Sequence, residues 1–432
     1  MKLIKLIILS IVCVCIANAQ QTPAEVQSKA VAIVGGTAHL GNNSIIQNSL
    51  IIFENGILQT VSEYNKTEDL SKMEVIDTKD QHIYPGFIVA NSTLGLIEID
   101  AVRATDDDEE LGNWNPHIRS LIAYNAESRV VESMRPNGVL LAQISPRGGR
   151  ISGTSSIVQL DAWNWEDAVI KADDGIHLNW PSTFSRGRWW LGEDPGLKSN
   201  PKYSSQTSEI EAYFNNAKAN SNNAKAKLNL PLNAMRGLFD QSKTLYIHVN
   251  DEKGIVDAVE FSNSQGLSKS VIVGGYEAFK VANYLKENAI SVLLNRVHSR
   301  PNHDDQDYDL PYKMAYLLVE AGVTVGLETS GDMERMNSRN LPFYAGTTVA
   351  HGLSKEQALQ LITLNTAKIL GIDSHYGSLE VGKSATLFIS SGDALDMRTN
   401  NLTNAFIDGR NISLESHQTK LWKRYSKKYE KN

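Results

Sequence analysis

The residues able to do chemistry are spread unevenly along the chain. Both cysteines, Cys13 and Cys15, fall within the first nineteen residues. No thiol nucleophile, Cys-ligated zinc or disulfide framework is therefore expected beyond that point. His298 and His303 stand beside Asp304, Asp305 and Asp307, with Arg296 and Arg300 close by. This mixture suits a metal site, a ligand-contacting loop or simply a solvated acidic loop. Arg147-Gly148-Gly149-Arg150 brackets a glycine pair with two guanidinium groups. A turn of that kind can hold an anion through backbone N–H groups and guanidinium forks. Arg339, in Arg339-Asn340-Leu341-Pro342, is a similar candidate. Trp163, Trp165, Trp180, Trp189 and Trp190 cluster with Arg186, Arg188 and Asp194. Aromatics with guanidinium groups could lid a planar or sugar-like ligand, or could pack a long crossover segment. His177 and Lys171 carry no supporting motif.

Positioning such groups requires regular elements. From Lys29 to Ile76 short β-type runs are broken by turn residues, and Asn55-Gly56 between apolar runs is a hairpin signal because both residues tolerate positive φ. The C-terminal part has the same texture, with strand-like Ala385 to Ser390 and a turn at Asp408-Gly409. In between, Thr244–Val249, Ser270–Val273, Ile290–Leu294 and Val323–Leu327 are short apolar runs. They alternate with amphipathic patterns such as Glu277–Glu287 and Leu310–Ala321. Such alternation predicts parallel strands with crossover helices. From Gly148 to Pro231 the periodicity is too poor to place strands.

The N-terminus reads as a secretory signal over residues 1–19. Lys2 and Lys5 precede the apolar run Leu6–Ile16, and Ala17-Asn18-Ala19 offers a small-x-small cleavage site. Secretion or periplasmic export is the expected localisation. Loss of the two lysines would take the formal net charge from −7 to −9. An acidic chain lacks the basic footprint of a nucleic-acid binder, and no later stretch reaches the roughly 20 apolar residues of a membrane span.

From Tyr84-Pro85-Gly86-Phe87-Ile88 onward the chain resembles the amidohydrolase superfamily, particularly the branch of imidazolonepropionases and related cyclic amidases. Ser49–Val61 resembles that family's sandwich hairpin. Gly352-Leu353-Ser354 through Thr363-Leu364-Asn365-Thr366-Ala367 resembles its last barrel helix, and Gly377-Ser378-Leu379-Glu380-Val381-Gly382-Lys383 its return into the sandwich. The resemblance implies an α/β fold: a TIM-like (β/α)8 barrel over residues 85–376. A small β-sandwich would be made from residues 28–84 and 377–432.

Members of the family activate water on zinc or another divalent ion held by histidines and one carboxylate. The resemblance places Asn91 and Thr93 at the two first-strand histidines, Gly274 at the sixth-strand histidine and Ser330 at the eighth-strand aspartate. His248 alone keeps a ligand type, and one imidazole is too few to retain an ion. No cofactor is therefore expected. Asp332 and Glu328, each two residues from Ser330 and so on the same strand face, are candidates with His248 for acid–base work. Arg147, Arg150, His298 and Arg339 are candidate ligand contacts. Two functions follow: a hydrolase of non-peptide carbon–nitrogen bonds with an atypical site, or a catalytically inactive binding or scaffold protein. The expected partner is a small molecule, and the family's habits imply a homo-oligomer or a homologous amidohydrolase partner.

Overall fold

The computed structural model describes residues 22–430, apart from 195, 223–226 and 332. The expected leader and Asp332 thus lie outside the described residues.

Two small sheets form the sandwich. One orders Ile57–Glu63, Ser49–Glu54, Val31–Val34 and Glu74–Asp77. Its hairpin turns at Asn55 and Gly56, both at positive φ (52° and 78°), as a tight two-residue loop requires. The other sheet sets Leu402–Ile407 and Leu387–Ser390 beside His82–Pro85 and Thr37–His39, so both ends of the chain build it. Ile33, Ile51, Phe53, Ile83, Leu387 and Phe406 close the space between the sheets.

The remaining large sheet has eight strands in sequence order. They are β1 (Phe87–Ser92), β2 (Val139–Ile144), β3 (Ile151–Gln159), β4 (Val169–Asn179), β5 (Thr244–Val249), β6 (Ser270–Gly274), β7 (Ser291–Leu294) and β8 (Val325–Leu327). A parallel bridge between Ala90 and Glu328 closes the ring. Leu361 and Ile362 caulk that seam, their carbonyls accepting from the N–H groups of Leu327 and Ile88.

The barrel expected from the resemblance is present, with one departure. β3 runs antiparallel to both β2 and β4. Only residues 145–150 join β2 to β3, whereas a parallel crossover needs a dozen or more. Gly148 and Gly149 turn that corner at φ of 79° and 61°. A Cβ on Gly149 would stand 2.8 Å from the carbonyl oxygen of Gly112. The Arg147–Arg150 turn therefore lies on the same rim as the carboxyl ends of the parallel strands. This reversal explains why the 148–231 region shows no strand–helix period.

Strand alternation sorts the side chains. Phe87 and Val89 face the helical layer while Ile88 and Ala90 face the barrel interior. Leu141, Ile157, Val271, Val273 and Leu293 fill that interior with them. Each such fully buried side chain contributes about 1.5–3 kcal/mol. Toward the carboxyl ends the inward positions turn polar, and the chemistry begins there. Among the described residues no helix is long and apolar enough to cross a membrane.

Candidate functional site at the barrel mouth

Asn91, next to last in β1, has a left-handed conformation, φ 50°, which asparagine tolerates better than most residues. Its backbone N–H donates to Gln143 Oε1 at 3.0 Å, and its side-chain Nδ2 donates to Glu328 Oε2 at 2.5 Å. Arg147 grips the same residue twice, with Nη1 on Asn91 Oδ1 at 3.0 Å and Nη2 on the Asn91 carbonyl at 2.7 Å. Ser330 Oγ donates to the other oxygen of Glu328 at 2.5 Å. Thr93 turns aside to a second carboxylate: its N–H and Oγ1 both donate to Glu334 Oε2, at 2.9 and 2.7 Å. The Arg147 guanidinium approaches Glu334 to 3.9 Å. Arg147, Thr93, Ser330, Glu334 and Asp108 line a polar cavity of 210 Å³ at this point of the rim.

Across the mouth His177 of β4 and His248 of β5 share one hydrogen bond, Nδ1 to Nε2 at 2.9 Å. His177 is fully buried and stacks on Tyr246 at 4.8 Å, and among the described residues its Nε2 has no partner. Beneath them the Asp174 carboxyl accepts from Ser155 Oγ (2.7 Å), Tyr246 Oη (2.8 Å) and Gln143 Nε2 (3.0 Å). Gln143 thus links this lower cluster to Asn91.

Burial sets the protonation of these groups. Glu328 is 1 % exposed, and desolvation pushes its carboxyl up to about 7 against the pull of Ser330, Asn91 and Arg147. His248 keeps a little surface at the rim, yet its packed surroundings and then the Arg147 cation push it down to about 3. His177 is driven well below the usual imidazole range, mainly by desolvation, then by His248 and Arg147. Both rings are neutral at pH 7. Asp174 is raised by desolvation despite its three donors.

Asn91, Glu328, Ser330 and Arg147 therefore meet in one network, and His248 belongs to the opposite wall. Other expected residues do not join them. A Cβ on Gly274 would meet Asn250 Oδ1 and Asn295 Oδ1 at 2.6 and 2.9 Å, so the ends of β5 and β7 crowd that position. Arg150 Nη1 is committed to the Asn179 carbonyl at 2.6 Å. His298 turns outward to Thr347 Oγ1 at 2.7 Å and packs edge-on to Tyr344. Arg339 is exposed, and its carbonyl accepts from Asn137, which precedes the amino end of β2. Asp304, Asp305 and Asp307 are solvated, and Asp309 pairs with Lys313 in the helix that follows. Of the tryptophans, Trp180 is buried and donates to Tyr203 Oη at 3.0 Å, while Trp163, Trp189 and Trp190 are exposed.

Among the described residues, the groups at the mouth do not offer a divalent ion the ligand set that the resemblance implies. Among the described residues, no three His, Cys, Asp or Glu side chains converge to hold one. The two imidazoles are bonded to each other. Glu328 is capped by an amide and a hydroxyl, and the Arg147 cation already acts electrostatically on both rings and on Glu328.

Sequence reasoning set His177 aside for want of a motif, and it missed Gln143, Asp174, Tyr246 and Glu334. A signal existed for one: Ile176 and Leu178 flank His177, so strand alternation would have turned it to the opposite face. The rest depend on which strands become neighbours.

Comparisons with known proteins agree with this architecture. A model of the amidohydrolase family matches residues 313–412. An imidazolonepropionase from Syntrophobacter fumaroxidans is 38% identical over 82 residues, 19% of each chain. Another, from Symbiobacterium thermophilum, is 35% identical over 82 residues, again 19% of each. The chain thus spans about a fifth of the length of these curated relatives. The crystal structure of an amidohydrolase from Thermotoga maritima superposes with a TM-score of 0.75 at 22% identity, covering 88% of this chain and 99% of that one. Residues 313–412 are thus similar to the amidohydrolase family, and the fold as a whole is that of an amidohydrolase barrel.

Proposed function

We propose that this chain uses the amidohydrolase barrel mouth as a metal-independent site for a small ligand bearing a carboxylate or polarised carbonyl. One observation carries the reading: a guanidinium, Arg147, lines the rim cavity among the groups that the resemblance assigns to metal binding. Its side chain is 27% exposed, so donors not engaged by Asn91 or by the Ser145 and Pro146 carbonyls can meet a ligand oxygen. Asn91, Thr93, Gly274 and Ser330 then stand where the resemblance implies metal ligands. Among the described residues His248 has too few companions to grip an ion. The test is metal analysis of purified protein together with thermal shift against small carboxylates and lactams. Ligand-dependent stabilisation lost in Arg147→Ala supports the proposal. Stoichiometric zinc removed by His248→Ala overturns it.

A second reading, hydrolysis of a non-peptide carbon–nitrogen bond, is favoured by Glu328. A carboxyl pushed up to about 7 is matched to proton transfer near neutrality. In that reaction Glu328 accepts a proton from water as its oxygen attacks the carbonyl carbon. Arg147 stabilises the oxyanion, and Glu328 returns the proton to the leaving nitrogen. Turnover of a lactam or dipeptide panel that disappears in Glu328→Gln, with ligand binding retained, would establish it. We further propose export through the N-terminal signal, which N-terminal sequencing of the secreted protein tests.

A further inference from the structure

The helix His417–Ser426 has a buried cap and an unpartnered body. Ser416 and Thr419 form a capping box at its start, and the N–H of His417 donates to Glu132 Oε1 at 2.5 Å. That carboxylate both satisfies a free donor and faces the positive helix end. Beyond this first turn the helix contributes no buried residue to the protein. Hydrogen bonds from the N–H groups of Lys428 and Tyr429 back to Tyr425 and Ser426 carry the winding onward.

Two features of this segment do not suit free solvent. Trp422, Tyr425 and Tyr429 lie at helical spacing i, i+3 and i+7, on one side, and are 69%, 56% and 73% exposed. From residue 417 to residue 430 the segment also carries Lys420, Lys423, Arg424, Lys427 and Lys428 against the single acid Glu430. The whole chain has a formal charge of −7, so this concentration of positive charge is opposite in sign to the molecule that bears it. Among the described residues only Lys423 of these five has an ion-pair partner, Glu415, while Arg424 and Lys428 lie over the Tyr425 and Tyr429 rings.

We propose that this helix docks the protein on an anionic lipid surface. Trp and Tyr rings prefer the headgroup region, where an apolar body and a polar edge are both satisfied. Each lysine or arginine near such a surface adds attraction that falls off within a Debye length. The acidic remainder of the protein would be repelled from the same surface, so contact is confined to this helix and the molecule is held in one orientation. Because the helix is already capped and tethered through Glu132, docking carries little of the ordering entropy that a free tail would lose.

The test is cosedimentation of the full chain with vesicles of phosphatidylcholine alone and of phosphatidylcholine with 30% phosphatidylglycerol. Binding to the anionic vesicles at least tenfold tighter, lost in 0.5 M salt and in a triple K423E/K427E/K428E variant, supports the proposal. A W422S/Y425S variant should weaken binding about tenfold without lowering the melting temperature, since neither ring contributes to the core. Equal partitioning onto both vesicles, or none, overturns it. So does concentration-dependent dimerisation that buries Trp422, as read by its fluorescence, or binding to duplex DNA that outcompetes the vesicles. None of these outcomes bears on the barrel-mouth ligand, which the Arg147→Ala experiment addresses separately.

Discussion

The two ends of the barrel use the same residue types to opposite effect. At the end away from the rim, Asp161 is fully enclosed. It accepts from Arg135 Nη1 at 2.6 Å, Arg410 Nη1 at 3.0 Å and the backbone N–H of Ala24 at 2.8 Å. Arg410 Nη2 adds Gln159 Oε1 and the Asp161 carbonyl. This carboxylate stitches the barrel, the C-terminal sandwich strand and the N-terminal segment together. At the mouth, no guanidinium among the described residues is in contact with Glu328. Arg147 binds Asn91 instead and reaches only to 3.9 Å from Glu334. A carboxylate enclosed by cations ties elements of the fold together, whereas Glu328, capped by an amide and a hydroxyl and raised by burial, is left able to exchange its proton. Complete pairing holds the fold, and incomplete pairing leaves a site.

Breaking the paired end should have the largest effect. Asp161→Ala removes the buried anion that Arg135 Nη1 and Arg410 Nη1 both contact, and urea unfolding should register a loss of about 3–5 kcal/mol. A loss under 1 kcal/mol would remove the contrast drawn above.

Glu328→Gln tests the other end, and the sign follows from the shift. The folded-state value of about 7 exceeds the ordinary 4.5, so the fold favours the neutral carboxyl. Its stabilisation is complete below pH 4.5 and is lost as pH rises through 7. The glutamine variant should flatten that window and unfold about 3 kcal/mol less readily than wild type at pH 8, relative to their difference at pH 4. His248 has the opposite slope. Its value near 3 lies below the ordinary 6.5, so stability falls as pH drops from 6.5 toward 3. His248→Asn should reduce that acid limb in a pH series of melting temperatures.

Smaller effects sharpen the boundaries of the site. Thr93→Val removes the hydroxyl bond to Glu334 while retaining the backbone one, and should cost about 1 kcal/mol in denaturant titration. His298→Ala should change stability by no more than about 0.5 kcal/mol, since its ring lies at the surface. It should also leave ligand binding at the mouth intact, which a thermal-shift titration would read.

Much of the architecture was legible in the residues. The hairpin at Asn55-Gly56, the strands Thr244–Val249 and Ser270–Gly274, and the helix Leu310–Glu320 follow from turn chemistry and apolar periodicity. Strand β4 was not legible. Its run Val169–Asn179 begins Val-Ile-Lys-Ala-Asp-Asp-Gly, with charges where an interior strand should be apolar. Those polar groups are tolerated because neighbours complete them: Asp174 by Ser155, Tyr246 and Gln143, and Lys171 by the Leu370 carbonyl.

For the site, the sequence by itself, through its resemblance to a known family, indicated which chemical groups stand at the ends of the first, fifth and eighth strands. It also determined that no thiol would be available beyond the first nineteen residues. Only the tertiary structure decided the pairings: Arg147 with Asn91 across 56 residues, Asn91 with Glu328 across 237, and His177 with His248 across 71. The physical reason is that a hydrogen bond, and the desolvation that shifts a carboxyl or an imidazole, depend on distances of a few ångströms. Those distances are set by barrel closure and by the reversal of β3, which local composition does not encode.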